Sequence, residues 1–527
     1  MAERVSPELY LSLLSGRHGG VPHLSAEQRD NNVRSRLRDP QLHKDPDRLL
    51  DVLDALAAIC VSKEKDIFFV SLAMNQNTTT LCVATNGTVP AVLTNHLRMV
   101  RSHLKDLKSV LEPASPAPPD IESPDPNVTP SRDEGELKVQ RSIYEYSYKR
   151  LLRRYQKRGP VILAQFDALT KRLQSNDATF ATEDAEYLAL THGVLERIDD
   201  LLKDEIPQES RLTILIQTIT AMSFAWKQRL ETVEDNDLLT RWDNLTRKFD
   251  PTSPIDDTIA HLLFLAVKQN RNLSLQRFLQ KMFTLHNHVR TILRIAWSRR
   301  LSPFLEGEFN IVLVPAAHGD ILVKFSQQKL IHIAFPPEDK TPQNIKQTVY
   351  NVLLSGVQAT ADKQGIKMKK EEELSLMHIN VHAECSLLAH HIQHPEIIPY
   401  RYFGGSKLSC HGCSVFFSSF NGLATSPDDR QFFTKGCHDK IYLQWPCPSL
   451  LSQQQQPDAP PLDTLVKHAM IKVLGDELAA YVGDLFHAIQ WSTPPQSDST
   501  AASGDLRDPE AEAEQALRDF LAQGMCE

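Results

Sequence analysis

A chain of 527 residues is longer than one typical core, so two to four domains are expected, and 41% hydrophobic with 24% charged residues is an ordinary globular balance. A net charge of −8 supplies no global basic field, so any grip on nucleic acid has to come from a local patch. The opening MAERVSPELYLSLLSGRHGG lacks the apolar core of a secretory signal, no run nears the roughly 18 to 20 apolar residues of a membrane helix, and no membrane partner is expected.

Eight scattered cysteines favour a reducing, intracellular setting, cytoplasmic or nuclear, in which a close Cys pair binds metal rather than forming a bridge. Residues 47–63, DRLLDVLDALAAICVSK, place Leu49, Leu53, Leu56, Ala57 and Cys60 at helical spacing. Residues 66–87 read as two β-rich runs around a polar Asn-Gln-Asn turn, and so as a hairpin. A helix follows over 92–111, with Leu93, Leu97, Val100, Leu104 and Leu107 on one side. Seven prolines among Ser, Asp and Glu in 113–130 cannot bury a core, so 113–137 is expected to be a disordered linker. Residues 138–300 are helix-periodic almost throughout and predict a helical domain or insertion.

From FNIVLVPAA (309–317) through KLIHIAF (329–335) the pattern turns β-rich. LSLMHINV (374–381) alternates, with Met377, Ile379 and Val381 on one face, and predicts a strand. Helix, strand, helix and strand are then expected up to about Pro448, with CHDKIYLQW as the last strand. A low-complexity linker takes 451–462, an amphipathic helix 463–492 and a polar tail 493–527.

His382 falls where the strand gives way to a helix that ends before Pro395. Cys410 and Cys413, three apart, share a face of the first turn of a second helix, CHGCSVFFSSFNG. Two facing helix N-termini can present one imidazole and two thiolates to a metal, and their positive ends favour the thiolates. That donor set suits zinc, and three protein ligands leave a fourth position for water, as catalytic zinc sites do. Glu384, two residues past His382, is placed beside such a water to move its proton.

VHAECSLL, SKLSCHGC and GCHDKIYLQWPCP, in that order over about 378–448, resemble the cytidine-deaminase-like superfamily and, within it, the OTT-like family of fungal nucleic-acid and nucleotide deaminases. The resemblance implies a three-layer α/β/α domain with a large all-helical insertion or companion domain. Residues 301–450 would be the zinc-dependent deaminase core, and 1–112 (helix, hairpin, helix) the possible first part of a split domain. It implies one Zn²⁺ per chain on His382, Cys410 and Cys413, with Glu384 as proton shuttle. The reaction implied is hydrolytic removal of an amino group from a cytosine- or adenine-type base through zinc-bound hydroxide. The substrate would be a nucleotide, RNA or single-stranded DNA. The backbone N–H of Ala383 would touch the base and the carbonyl of Ser409 would accept the leaving amine, although Ser409 stands where the wider pattern has Pro. Asn86, near the end of the hairpin at 66–87, is the candidate for a further substrate contact; the strands at 309–335 are the rival hairpin.

Several features have a plainer reading beside the functional one. His438, Tyr442 and Trp445 are either core aromatics or a stacking wall, with His438 and Trp445 as candidates to touch the base. Cys410, Cys413, Cys437 and Cys447 make a poor structural ribbon, because the last two are not a Cys-x-x-C pair. The stripe Lys149, Arg150, Arg153, Arg154, Lys157 and Arg158, interleaved with Tyr144, Tyr148 and Tyr155, is a solvated helix face or a phosphate-backbone track. Lys407 faces water or meets a phosphate, and His390, His391 and His394 are a second metal cluster or, the plainer reading, exposed histidines at a helix C-terminus. The alternative to an enzyme is a non-catalytic zinc-stabilised interaction protein that keeps the fold, with the helical block as its working surface.

Overall fold

The computed structural model describes residues 5–17, 46–75, 77–111, 132–164, 167, 182–204, 208–232, 275–335, 339–369, 373–424, 431–450 and 460–492. The proline-rich stretch 113–130, the Gln/Pro segment 451–459 and the tail from 493 lie outside the described residues. The chain runs α1 (Pro7–Leu14), α2 (Pro46–Ile59), β1 (Phe68–Met74), β2 (Thr78–Thr85), α3 (Leu93–Leu111), α4 (Arg132–Gln156), α5 (Thr182–Leu201), α6 (Glu209–Thr232) and α7 (Leu275–Leu293). It continues through α8 (Ser302–Glu306), β3 (Glu308–Leu313), β4 (His318–Lys324), α9 (Gln327–Ala334), α10 (Gln343–Gln364), β5 (Glu373–Asn380) and α11 (Ala383–Gln393). The last elements are β6 (Tyr402–Gly405), α12 (His411–Gly422), β7 (Phe433–Thr434) and α13 (Leu462–Ser492).

The main sheet has the order β3-β2-β1-β6-β7. β1 pairs antiparallel with both β2 and β6, β2 parallel with β3, and β6 parallel with β7. The period-two alternation of the hairpin decides how the layers form. Phe68, Val70, Leu72, Leu81 and Val83 point into one apolar cluster with α2, α3, α4 and α7. Phe69, Cys82 and Ala84 point into the other with α1, α10, α11, α12 and α13. Both faces of the sheet are therefore covered, which gives a mixed α/β fold of three layers. The described helices of the block share a continuous apolar cluster with one face of the sheet.

The hairpin beside β6 is the one at 68–85; β3 joins at the far edge. Within the β-rich range 309–335, β3 and β4 are strands as expected, but KLIHIAF needs correction: it lies largely in α9, whose Leu330, Ile333 and Ala334 repeat at helical spacing and pack on the second cluster. β4 and β5 form a separate two-stranded sheet in which Met377 is 63% exposed rather than inward. A register shift between Gly319 and Ile321, with His378 at φ 52°, breaks the alternation expected for 374–381. The linker expected to end at 137 ends earlier, since α4 begins at Arg132. Its Asp133 and Glu134 are acidic first-turn residues suited to a helix N-terminus. CHDKIYLQW is irregular rather than a strand: Gly436 and Asp439 have positive φ, and the side chain of Gln364 takes the Ile441 carbonyl (2.9 Å) and the Leu443 N–H (3.0 Å) in place of a ladder.

Close approach explains one glycine. At Gly404 in β6 a Cβ would lie 2.2 Å from the Leu53 carbonyl carbon, so α2 rests directly on the strand. The next residue of α2, Asp54, is buried and accepts from Gly405 N–H (2.9 Å) and the Tyr402 hydroxyl (3.1 Å), with Lys435 Nζ at 3.2 Å. On the opposite face His411 Nε2 meets Glu477 Oε2 at 2.8 Å and ties α12 to α13. Among the described residues no helix is long and apolar enough to cross a membrane.

Candidate metal centre

α11 begins against Asn86, just past β2, and packs on α12, and each of the two helices opens with an extended capping residue that frees its side chain. His382 (φ −63°, ψ 145°) caps α11 and Cys410 (φ −82°, ψ 171°) caps α12, neither with a side-chain capping bond. Cys413 follows in the first turn of α12 and is fully buried. His382 Nδ1 stands 3.4 Å from Cys410 Sγ and 3.3 Å from Cys413 Sγ, and the two sulfurs are 3.4 Å apart. These three residues are the group of metal donors found among the described residues.

The donor set fits zinc. Zinc bonds of about 2.3 Å to sulfur and about 2.0 Å to nitrogen in a tetrahedron spread such atoms to roughly 3.5–3.8 Å, slightly more than is seen here. Burial pushes both thiols well above their ordinary range, so a pair of thiolates at this spot calls for a cation between them. Burial pulls His382 down, but the sulfur of Cys410 and the carboxylate of Glu384 outweigh it and raise the imidazole to about 9.

Glu384 is 3% exposed, in the first turn of α11 where the helix dipole favours a carboxylate. Its charge acts on both His382 and Cys413, which puts it beside the cluster. Asn86, just past β2, accepts the backbone N–H of Ala383 at 2.7 Å. Ser409 is buried; its carbonyl accepts His438 N–H at 3.0 Å and its hydroxyl donates to Thr434 Oγ1 at 3.1 Å. The structure thus brings Asn86, Ala383, Ser409 and His438 to the rim of the cluster. Tyr442, 38% exposed, faces the His382 ring at 6.0 Å and the His438 ring at 5.9 Å, an aromatic row along the same rim.

Trp445 sits elsewhere. It is 2% exposed, and its indole N–H donates to Cys413 Sγ at 3.1 Å, beneath the thiolates rather than on an open wall. Gly412, inside the Cys-x-x-Cys turn, makes room for it, since a Cβ there would lie 2.8 Å from the indole. Cys385 makes a second contact: its Sγ is 3.6 Å from Cys413 Sγ. Burial raises Cys385 to about 12, so it stays a thiol and can donate. The signal for it was present, because Cys385 lies three residues after His382, on the same side of α11.

The histidines at the end of α11 do not behave alike. His394 is exposed and paired with Glu396 at 3.0 Å, as expected. His391 is buried instead, 2.7 Å from Ser71 Oγ and against the rings of Phe403 and Phe432. Cys437 and Cys447 are outside the metal-donor group.

No curated protein and no solved structure matches the chain. Residues 381–449, the segment that carries His382, Glu384, Cys410 and Cys413, match the family model of the OTT_1508-like deaminases, a cytidine-deaminase-like family.

Proposed function

We propose that this protein is a zinc-dependent hydrolytic deaminase acting on the amino group of a cytosine- or adenine-type base, free, in a nucleotide or in nucleic acid. The observation that carries the reading is the convergence of His382 Nδ1, Cys410 Sγ and Cys413 Sγ within 3.4 Å of one another, with a buried Glu384 beside them. Zinc held by these three side chains would supply Lewis acidity, which lets water ionise near neutral pH.

The remaining work falls to the protein's own groups. Glu384, at a carboxylate oxygen, takes one proton from the attacking water and gives it to the ring nitrogen, then takes the second from the hydroxyl now on the ring carbon and gives it to the amine, which departs as ammonia as the carbonyl forms. Its burial keeps that oxygen out of bulk solvent, where the proton would otherwise exchange. The Ser409 carbonyl has a second lone pair beyond its bond to His438 N–H, available for the leaving amine. Tyr442 and His438 offer ring faces and edges at the rim against which a base can lie.

One observation favours the second reading, a non-catalytic zinc-stabilised interaction protein. The Ala383 N–H assigned to the base is taken by Asn86 Oδ1. A substrate has to displace that contact, and a protein without substrate would keep it.

The two readings separate in one experiment. Zinc per chain is measured on the purified protein, and ammonia release is followed on nucleosides, nucleotides, RNA and single-stranded DNA, for wild type, Glu384→Ala and His382→Ala. The expected outcome is about one zinc per chain, turnover lost with metal retained in Glu384→Ala by a factor of about 10²–10⁴, and zinc lost in His382→Ala. Zinc without turnover on any substrate favours the interaction protein. Unchanged zinc in His382→Ala refutes the site.

A further inference from the structure

The basic stripe of α4 and the residues just after it is divided: Lys149 and Arg153 are exposed, whereas Arg150, Arg154, Lys157 and Arg158 line a cleft. These four form one wall of a half-open cleft of about 280 Å³, roughly nine waters' worth of space, whose other walls are the loop 61–66 after α2, α7, and Ser406 and Lys407 after β6. Eight Lys and Arg residues line it against two carboxylates, Glu64 and Asp66. The guanidiniums of Arg150 and Arg154 feel the charges of Asp66 and Glu64 but spend their hydrogen bonds elsewhere. Arg150 donates to the Ala58 carbonyl at 3.2 Å and Arg154 to the Lys281 carbonyl at 2.6 Å, both uncharged partners. Arg158 Nη1 is buried without any hydrogen-bond partner. Glu64 stands 4.0 Å from Lys157, which is exposed, and Asp66 accepts the backbone N–H of Lys63.

The crowding of positive charge is felt nearby. Burial and then the charge of Arg154 lower Arg150 to about 10 against the opposing pull of Asp66, and burial with Lys435, Arg150 and Arg154 lowers His288 to about 4. Desolvated guanidiniums gathered around one space are costly unless an anion occupies it, and planar guanidinium groups match phosphate oxygens in pairs.

The shape argues against a nucleic-acid strand. Non-specific strand binding needs exposed aromatics for base stacking, but Tyr144, Tyr148 and Tyr155 are buried on the core side of α4. Tyr148 even spends its hydroxyl on the Asp204 carbonyl at 2.9 Å. The space is compact, and segments far apart in sequence build its walls.

We propose that this cleft holds a compact polyphosphate anion, about the size of pyrophosphate to triphosphate, as a resident ligand that fastens the helical block to the deaminase-like segment. The proposal does not depend on the activity of the metal centre. It predicts a ligand whose loss loosens the contact of α4 and α7 with the loops at 61–66 and 406–407.

The test uses the full chain and inorganic tripolyphosphate. Thermal unfolding is measured with tripolyphosphate, with sulfate or with a single-stranded RNA oligonucleotide at equal ionic strength, for wild type, Arg158→Gln with Lys407→Gln, and the milder Lys65→Gln at an exposed position. Phosphorus is also measured on acid-denatured, gel-filtered protein, which reveals a ligand carried through purification. In wild type, tripolyphosphate raises Tm by about 4–8 °C where sulfate does not, or phosphorus is found at one ligand per chain. Either signal falls by at least half in Arg158→Gln/Lys407→Gln, or in Lys65→Gln if the double variant does not fold. Neither signal in wild type, an equal rise with sulfate, an unchanged signal in the variants, or protection by a single-stranded RNA oligonucleotide alone overturns the proposal.

Discussion

The indole of Trp445 offers a sharp test of the metal centre, because it touches the site through one atom. Trp445→Phe keeps an aromatic ring against Gly412 and removes the N–H that donates to Cys413 Sγ at 3.1 Å. A donor to a metal-bound thiolate steadies the sulfur's negative charge, and loss of such a supporting bond typically weakens metal binding about 10- to 100-fold. Since about 1.4 kcal/mol is a factor of ten, this corresponds to roughly 1.4–2.8 kcal/mol, within the range for a hydrogen bond to a charged group. The Cys385 thiol at 3.6 Å remains in the variant and keeps the loss near the lower bound. Zinc affinity is measured by competition with a chromophoric chelator, at a temperature where circular dichroism shows both proteins folded. Thermal unfolding of the metal-free forms gives the packing cost separately. A variant with wild-type zinc affinity and a lowered Tm would show that the indole only fills space, and would refute the reasoning.

Gly404→Ala should be among the most damaging small changes in the sheet. Its methyl would lie 2.2 Å from the Leu53 backbone, so α2 must lift off β6 at a cost of about 3 kcal/mol or more in urea unfolding; a loss below 1 kcal/mol contradicts this. Ser71→Ala removes the hydroxyl 2.7 Å from the buried His391 Nε2 and should cost about 1–3 kcal/mol without changing zinc content. Asp54 predicts a pH signature. Burial raises it to about 6, although Lys435, Gly405 N–H and the Tyr402 hydroxyl pull it down, while the unfolded chain titrates near 3.8. The folded state therefore binds the extra proton, and the contribution of Asp54 to stability is fullest below the unfolded value and lost as pH rises to about 6. The loss amounts to at most about 3 kcal/mol. Stability curves of wild type minus Asp54→Asn from pH 4 to 7 should fall to about pH 6 and then level; a flat difference rules it out.

Much of this arrangement was legible because local chemistry and global fold agree. The alternation of Phe68, Val70 and Leu72 against Phe69 states two buried faces, and His382 with Cys410 and Cys413 states a donor set whatever surrounds it. What stayed hidden came from contacts that no short-range pattern encodes. Trp445 reaches Cys413 because irregular backbone, held by Gln364, carries it under α12. Met377 faces out because one bulge resets the phase of β5. KLIHIAF reads equally as strand or helix until a core chooses, and it packs as α9. The basic stripe read as a solvated face, which holds for Lys149 and Arg153, but a helical period cannot show that the loop at 61–66 stands across a cleft from Arg150 and Arg154.

The position of β6 sets a schedule for biosynthesis. Phe68, at the start of β1, bonds to Ser406, 338 residues later, so the middle of the main sheet cannot close until that distance has been translated. At about 5–20 residues per second the wait is roughly 17–70 s. During it the hairpin presents an open strand edge at β1, while the helices translated next can already cover the Phe68–Val70–Leu72 face. The other face must wait for α11, α12 and finally α13, which makes the half of the molecule that carries the metal ligands the last to be assembled on the ribosome and the half most in need of shelter while nascent.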